Sequence, residues 1–255
     1  MNYETFWLLP LLFVVGSAAG WIDSIAGGGG LITVPVLLSI GLPPAEALGT
    51  NKLQAVFGSS SATWHYGRAG LINFRAAIFG VVFTALGAVS GALAVQHIRP
   101  DFLRTIIPFL LIAIAVFFLF RPQLGDIDVR PHLSAGLFHF VFGLALGFYD
   151  GFFGPGTGTF WAMAYVLLLG FNLTKATAHT KLMNFTSNAA SLAMFVIGGQ
   201  AHLLVGLTMG AGQLVGARIG AKMVIRRGAR FIRPIFIAVA IAMSARLLWQ
   251  NFAQR

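Results

Sequence analysis

Cysteine is absent from the chain. Disulfides, thiolate catalysis and cysteine-bound metals are therefore excluded. Charge is scarce: 9% of residues are charged, where a soluble domain carries about 25%. Acids are rarest, seven against seventeen lysines and arginines. Familiar enzyme motifs are missing as well. There is no G-x-x-x-x-G-K-[ST] loop, no G-x-S-x-G and no H-E-x-x-H, so ATP hydrolysis by this chain is excluded. An intramembrane enzyme has only its embedded aspartates in its favour. No histidine pair has a third ligand at metal-binding spacing, so no metal and no cofactor is expected. Glu4 and the lack of a basic N-terminal stretch argue for a retained first span over a cleaved signal peptide.

What the chain does have is apolar sequence. Hydrophobic residues make up 57% of its 255 positions, and mean hydropathy is +0.83. So little polar surface cannot cover a water-soluble body, and the fold expected is an all-α, polytopic membrane protein. Ten apolar segments can be read: 6–25, 29–40, 46–66, 72–95 and 102–120, then 132–152, 157–170, 174–198, 203–222 and 231–249. Most can span about 30 Å of hydrocarbon as helix. The apolar cores Leu31–Ile40 and Phe160–Leu169 reach only about 15 Å, so they are expected to be broken or re-entrant half-helices. The net charge of +10 lies in short loops and forms no basic stripe, which sets topology and excludes nucleic acid as a partner.

The chain repeats itself. Gly20-Trp-Ile-Asp23, a run Gly27–Gly30 and Gly49-Thr-Asn-Lys52 return as Gly147-Phe-Tyr-Asp150, Gly154-Pro-Gly-Thr-Gly158 and Ala178-His-Thr-Lys181. Paired, glycine-interrupted apolar segments in two halves are the best sequence pointer to a transporter's binding site. The halves are expected at 1–121 and 132–255, joined by a polar linker at 122–131. Loop 222–233 holds five bases and reads as cytoplasmic, whereas the matching loop of the first half holds Arg99 and Arg104 offset by Asp101. The loop around Arg68 and Arg75 is the basic one there, so equivalent loops fall on opposite sides. That predicts an inverted repeat, with both termini outside and the linker in the cytoplasm.

A carboxylate at membrane depth costs about 3 kcal/mol, so Asp23 and Asp150 must find interior partners. Lys52 and Lys181, one per copy, are the candidates. Either the lysines attract an anion while the aspartates trade protons, or the four charges form structural ion pairs. His179, beside Lys181, is a further candidate for proton coupling. Glycine-rich breaks before half-helices would aim free N–H groups and a positive dipole end at a ligand. That makes Gly27, Gly28, Gly29, Gly30, Gly154, Gly156 and Gly158 candidates for anion binding, with Thr33, Thr157 and Thr159 as added donors. Asn51 and Gln54 share a helical face, as do Lys181, Asn184 and Asn188. Each stripe either lines a passage or bonds between helices. Gly87/Gly91 and Gly212/Gly216/Gly220 read as packing faces.

The run from Gly20 through the four glycines to Leu37, with Gly49-Thr-Asn-Lys-Leu, closely resembles the first motif of the TauE/SafE sulfite-exporter family, also called the four-toluenesulfonate uptake permeases. Gly147-Phe-Tyr-Asp-Gly-Phe-Phe-Gly-Pro-Gly-Thr-Gly and His179-Thr-Lys-Leu-Met-Asn184 resemble its second motif. The resemblance implies a bacterial inner-membrane carrier of two homologous halves moving organosulfur or other small anions. It points to Asp23, Gly27–Gly30, Asn51 and Lys52, and to Asp150, Gly154, Gly156, Gly158, Thr180, Lys181 and Asn184. The function expected is a secondary transporter, in the exporting direction, of sulfite, an organosulfonate or a related organic anion. An anion-selective channel with the same polar lining is the alternative. The partners expected are a small anionic substrate and membrane lipid, with homo-oligomerisation left open.

Overall fold

A computed structural model describes residues 3–99, 102, 127–228 and 231. The fifth apolar segment of each half falls almost wholly outside the described residues, as does 122–126 of the linker. The described residues form eight helices: α1 Tyr3–Ala26, α2 Gly29–Ser39, α3 Pro44–Arg68 and α4 Phe74–Gln96, then α5 Ala135–Phe152, α6 Thr157–Leu169, α7 Leu173–Ile197 and α8 Leu203–Arg227. No strand occurs among the described residues.

Local chemistry sets the boundaries. Pro44 opens α3, where its missing N–H costs nothing, and Glu46 sits in the first turn. Asn73, Ser134 and Asn172 cap α4, α5 and α7, each side chain accepting an N–H three residues on. The breaks between α1 and α2, and between α5 and α6, fall at the glycine clusters. Short α2 and α6 have 11 and 13 residues, about 16 and 20 Å of helix.

Four helices carry windows long and apolar enough to cross a membrane: Leu8–Ala26, Phe74–Gln96, Ala135–Phe152 and Leu203–Arg227. Their outer faces are apolar. Ile78, Phe79, Val82 and Leu86 of α4 are exposed, as are Leu203, Leu207 and Ile219 of α8. The polar side chains point inward instead, from α3 and α7, which pack on each other. There Lys52, Gln54, Lys181 and Ser187 are fully buried.

The two copies interlock. α1 packs along α8 of the other half, and α4 packs along α5. Both contacts run through the glycine faces expected from sequence. A side chain on Gly87 would strike Phe148 N, and one on Gly212 would strike Ser17 N. Absent side chains let the backbones approach that closely. The exchange is tied at its ends too. Thr50, two residues before Lys52, accepts the N–H of His202 at the start of α8 (2.8 Å). His179, two residues before Lys181, accepts the N–H of Asn73 at the start of α4 (3.3 Å).

The described end of the expected linker is clasped to the α6–α7 turn. Val129 N–H donates to Gly170 O, and Asp128 accepts from Asn172 N–H and pairs with Lys175 Nζ at 3.3 Å. The Asn172 N–H, ahead of Lys175, holds the Asp128 carboxyl below its ordinary range.

Candidate functional site

The two helix breaks cross each other. Gly27 adopts φ +74°, and Gly154 and Gly156 adopt +96° and +84°, a region that side chains disfavour. Space is as restrictive as conformation. A Cβ on Gly27 would lie 2.6 Å from the Gly158 carbonyl carbon, and one on Gly158 2.8 Å from Gly27 Cα. Thr159 Oγ1 ties the crossing, its hydroxyl shared between Ala26 O (2.9 Å) and Gly27 O (2.7 Å). Thr157 Oγ1 donates to Gly154 O at 2.6 Å.

A small cavity opens at this crossing. It offers about 30 Å³ to the centres of water molecules, room for about two of them or one compact ion. Its floor is glycine backbone from Gly27, Gly29, Gly30, Gly154, Gly156 and Gly158, with Thr157. Its polar walls are Asn51 and Gln54 of α3, Asn184 and Asn188 of α7, and Gln213 of α8. Asp23 and Asp150 face it from opposite halves.

Each aspartate is paired with the lysine of the other copy. Lys52 Nζ lies 2.6 Å from Asp150 Oδ1, with the two side chains 0% and 4% exposed. Ser187 Oγ–H also donates to Asp150 Oδ2. Lys181 Nζ lies 3.3 Å from Asp23 Oδ2, and there Asp23 is 22% exposed. Asp23 Oδ1 accepts the Gly29 N–H at the start of α2, also at 3.3 Å. Neither lysine lines the cavity, but both ammoniums stand close behind its glycine floor: Lys52 Nζ lies 2.6 Å from where a Cβ on Gly154 would sit, and Lys181 Nζ 3.4 Å from one on Gly158. The four formal charges sum to zero, so these buried ions neutralise one another.

An amide chain runs along one wall. Gln213 Nε2 donates to Gln54 Oε1 (2.5 Å), and Gln54 Nε2 donates to Asn51 Oδ1 (2.8 Å). Thr33 Oγ1 donates to Asn51 Oδ1 (2.5 Å) and also reaches Gly29 O. The three threonines expected as ligand donors thus spend their hydroxyls inside the protein. On the opposite wall Asn184 is 5% exposed and its Oδ1 has no partner.

Besides the two lysines, three sequence candidates stand back from the cavity. Gly28 is the N-cap residue of α2. Thr180 is buried beside Lys181, and its hydroxyl is unpartnered. His179 lies against Tyr165 and Phe171, beside a separate cavity of about 230 Å³. Its Nε2 accepts from Asn73 N–H, and its Nδ1 meets Lys175 O at 2.9 Å. Both ring nitrogens therefore have partners, and the Asn73 contact ties the start of α4 to α7.

The chain matches the family described as sulfite exporter TauE/SafE over residues 12–247. It belongs to that family. The TauE/SafE match spans both halves, and relatives align over nearly their whole length. A probable membrane transporter protein of Haemophilus influenzae is 50% identical over 244 residues, 96% of each chain. The probable membrane transporter protein YfcA of Escherichia coli K12 is 47% identical over 247 residues, 97% of this chain and 92% of that one. The probable membrane transporter protein ORF9 of a Sinorhizobium species is 47% identical over 248 residues, 97% of this chain and 95% of that one. No solved structure matches the chain. Membership in TauE/SafE and the four long apolar helices together identify an integral, multi-pass membrane protein.

Within this TauE/SafE chain, Gln213 is the cavity residue that motif reading passes over. Its one sequence signal is an amide inside an otherwise apolar, glycine-spaced stretch, Gly212-Gln-Leu-Val-Gly216. A buried polar group there needs a partner, and the partner is Gln54.

Proposed function

We propose that this protein is a secondary transporter, acting as an exporter, of a small anion such as sulfite, an organosulfonate or a related organic anion, across a bacterial inner membrane. One observation carries the reading. Two lysine–aspartate pairs, each crossing between the halves, flank a cavity formed where two broken helices meet. Broken helices with sites between structural repeats are the architecture of secondary carriers. The cavity's size favours a compact substrate over an extended one. The names of the relatives, probable membrane transporter proteins, point the same way. The halves 1–121 and 132–255 act as inverted repeats about a cytoplasmic linker at 122–131.

Counterflow tests the carrier. Proteoliposomes preloaded with sulfite, thiosulfate, methanesulfonate or acetate are expected to accelerate entry of the labelled anion. Lys52→Ala and Lys181→Ala are each expected to abolish that exchange. An absence of counterflow with every anion sinks the carrier, and single-channel current replaces it with the channel. Topology is tested separately. A reporter fused after Arg255 is expected to read periplasmic, and one inserted near Gly125 cytoplasmic. The same side for both removes the inverted repeat.

A further inference from the structure

We propose that the Asp23 carboxylate is a resident stand-in for the transported anion, and that the substrate takes its place on Lys181 and the Gly29 N–H. The proposal rests on the small-anion reading and names the half of the site where the anion lands.

The two ion pairs differ in a way that assigns them different jobs. Asp150 is locked: 2.6 Å from Lys52, also bonded by Ser187, and 4% exposed. Asp23 is held loosely, at 3.3 Å from both Lys181 Nζ and Gly29 N, and is 22% exposed. Charge-assisted N–H···O bonds are normally about 2.7–2.9 Å. A cation together with the first N–H of a half-helix is the donor set an oxyanion needs. Asp23 therefore already occupies an anion site, with bonds long enough for an external oxyanion to better.

Displacement has a consequence for charge. Once off Lys181, a bare carboxylate at membrane depth is costly, and protonation removes that cost. One proton taken from the buffered medium forms an O–H bond on Asp23, its former base left to the bulk solution, and the substrate's charge replaces Asp23's on Lys181. The site's net charge is unchanged, and one proton accompanies each monoanion. A protonated carboxyl needs an acceptor, and Asn184, which lines the same cavity, has a buried Oδ1 without a partner that a small side-chain shift would offer to it. The other groups facing Asp23 do not compete. Asp150, across the cavity, is neutralised by Lys52. The Tyr66 hydroxyl of α3 is bonded to Ser24 O. α2 has no titratable residue, and Arg218 and Lys222 lie on the exposed face of α8.

Titration calorimetry on the full-length protein in detergent tests this. The probe is methanesulfonate, a compact monoanion with no titratable proton near neutrality. Asp23→Asn is expected to bind it about tenfold tighter than wild type, because the amide surrenders Lys181 more readily. Wild-type binding is expected to take up close to one proton per anion, read from heats in buffers of different ionisation enthalpy, and Asp23→Asn to take up none. Equal or weaker binding by a folded Asp23→Asn overturns the proposal. So does wild-type binding without proton uptake, a measurement that stands even where the variant does not fold. Failure of both proteins to bind methanesulfonate also overturns it, while the small-anion reading is still decided by the counterflow assay.

Discussion

Alanine at Asp150 is expected to destabilise the protein by about 3–5 kcal/mol, the cost of leaving a buried charge without its partner. Lys52 is fully buried, and its ammonium lies 2.6 Å from Asp150 Oδ1. Among the described residues no other acid pairs with it. Water cannot replace the lost partner cheaply, because the side chain has no exposed surface. Denaturant or thermal unfolding in a fixed detergent reads the loss. A second substitution separates charge from packing. Lys52→Met in the Asp150→Ala background removes the stranded charge, and apolar replacement of a whole buried pair is often close to neutral. The double variant is therefore expected to regain most of the lost stability while exchanging no anion. A single Asp150→Ala variant as stable as wild type would show that Lys52 is not held as described. Asp23→Ala also strands a buried ammonium, that of Lys181, but it is expected to cost less, because the pair is longer and the 22% exposure of Asp23 lets water enter the space it leaves.

The breaks were legible in the sequence because two signals coincide there. Glycine clusters interrupt apolar runs, and the runs that follow are too short to span. The cavity floor at Gly27, Gly29, Gly154, Gly156 and Gly158 follows directly. The glycine faces at Gly87/Gly91 and Gly212/Gly216/Gly220 were legible from spacing alone, since residues four apart share a helical face. Who pairs with whom was not. A lysine and an aspartate in the same copy are near in sequence, and only the interlocking of α1 with α8 and of α4 with α5 carries each lysine to the other copy's acid. The surroundings of His179 were hidden for a related reason. Proximity to Lys181 in sequence suggested proton traffic, yet the side chain turns away to the start of α4. Nor could composition show that both lysines stand just outside the cavity lining, behind its glycine floor.

Valine at Gly151 is expected to break the α4–α5 contact and cost about 3 kcal/mol or more, the upper end for overpacking. A Cβ at Gly151 would lie 2.8 Å from both Ala88 Cα and Ala88 C and nearer still to its carbonyl oxygen, all of them backbone atoms that cannot swing aside. The fit is reciprocal: a Cβ on Gly91 would meet Phe152 N at 2.8 Å, and one on Gly147 would meet Thr84 Cα at 3.0 Å. No rotamer change relieves such a clash, so the helices must separate along the whole seam. Gly136→Val on the same helix is the control. Nothing lies within 4 Å of a Cβ there, and an exposed change of this kind is expected within about 0.5 kcal/mol of wild type. The seam also carries the site. Asp150 precedes Gly151, so moving α5 off α4 also pulls the carboxylate away from Lys52. Gly151→Val is therefore expected to lower the unfolding midpoint and lose counterflow together, with Gly136→Val changing neither. Equal stability of the two variants would mean that α4 and α5 do not meet backbone to backbone, and with that the cross-half pairing of Lys52 would lose its support.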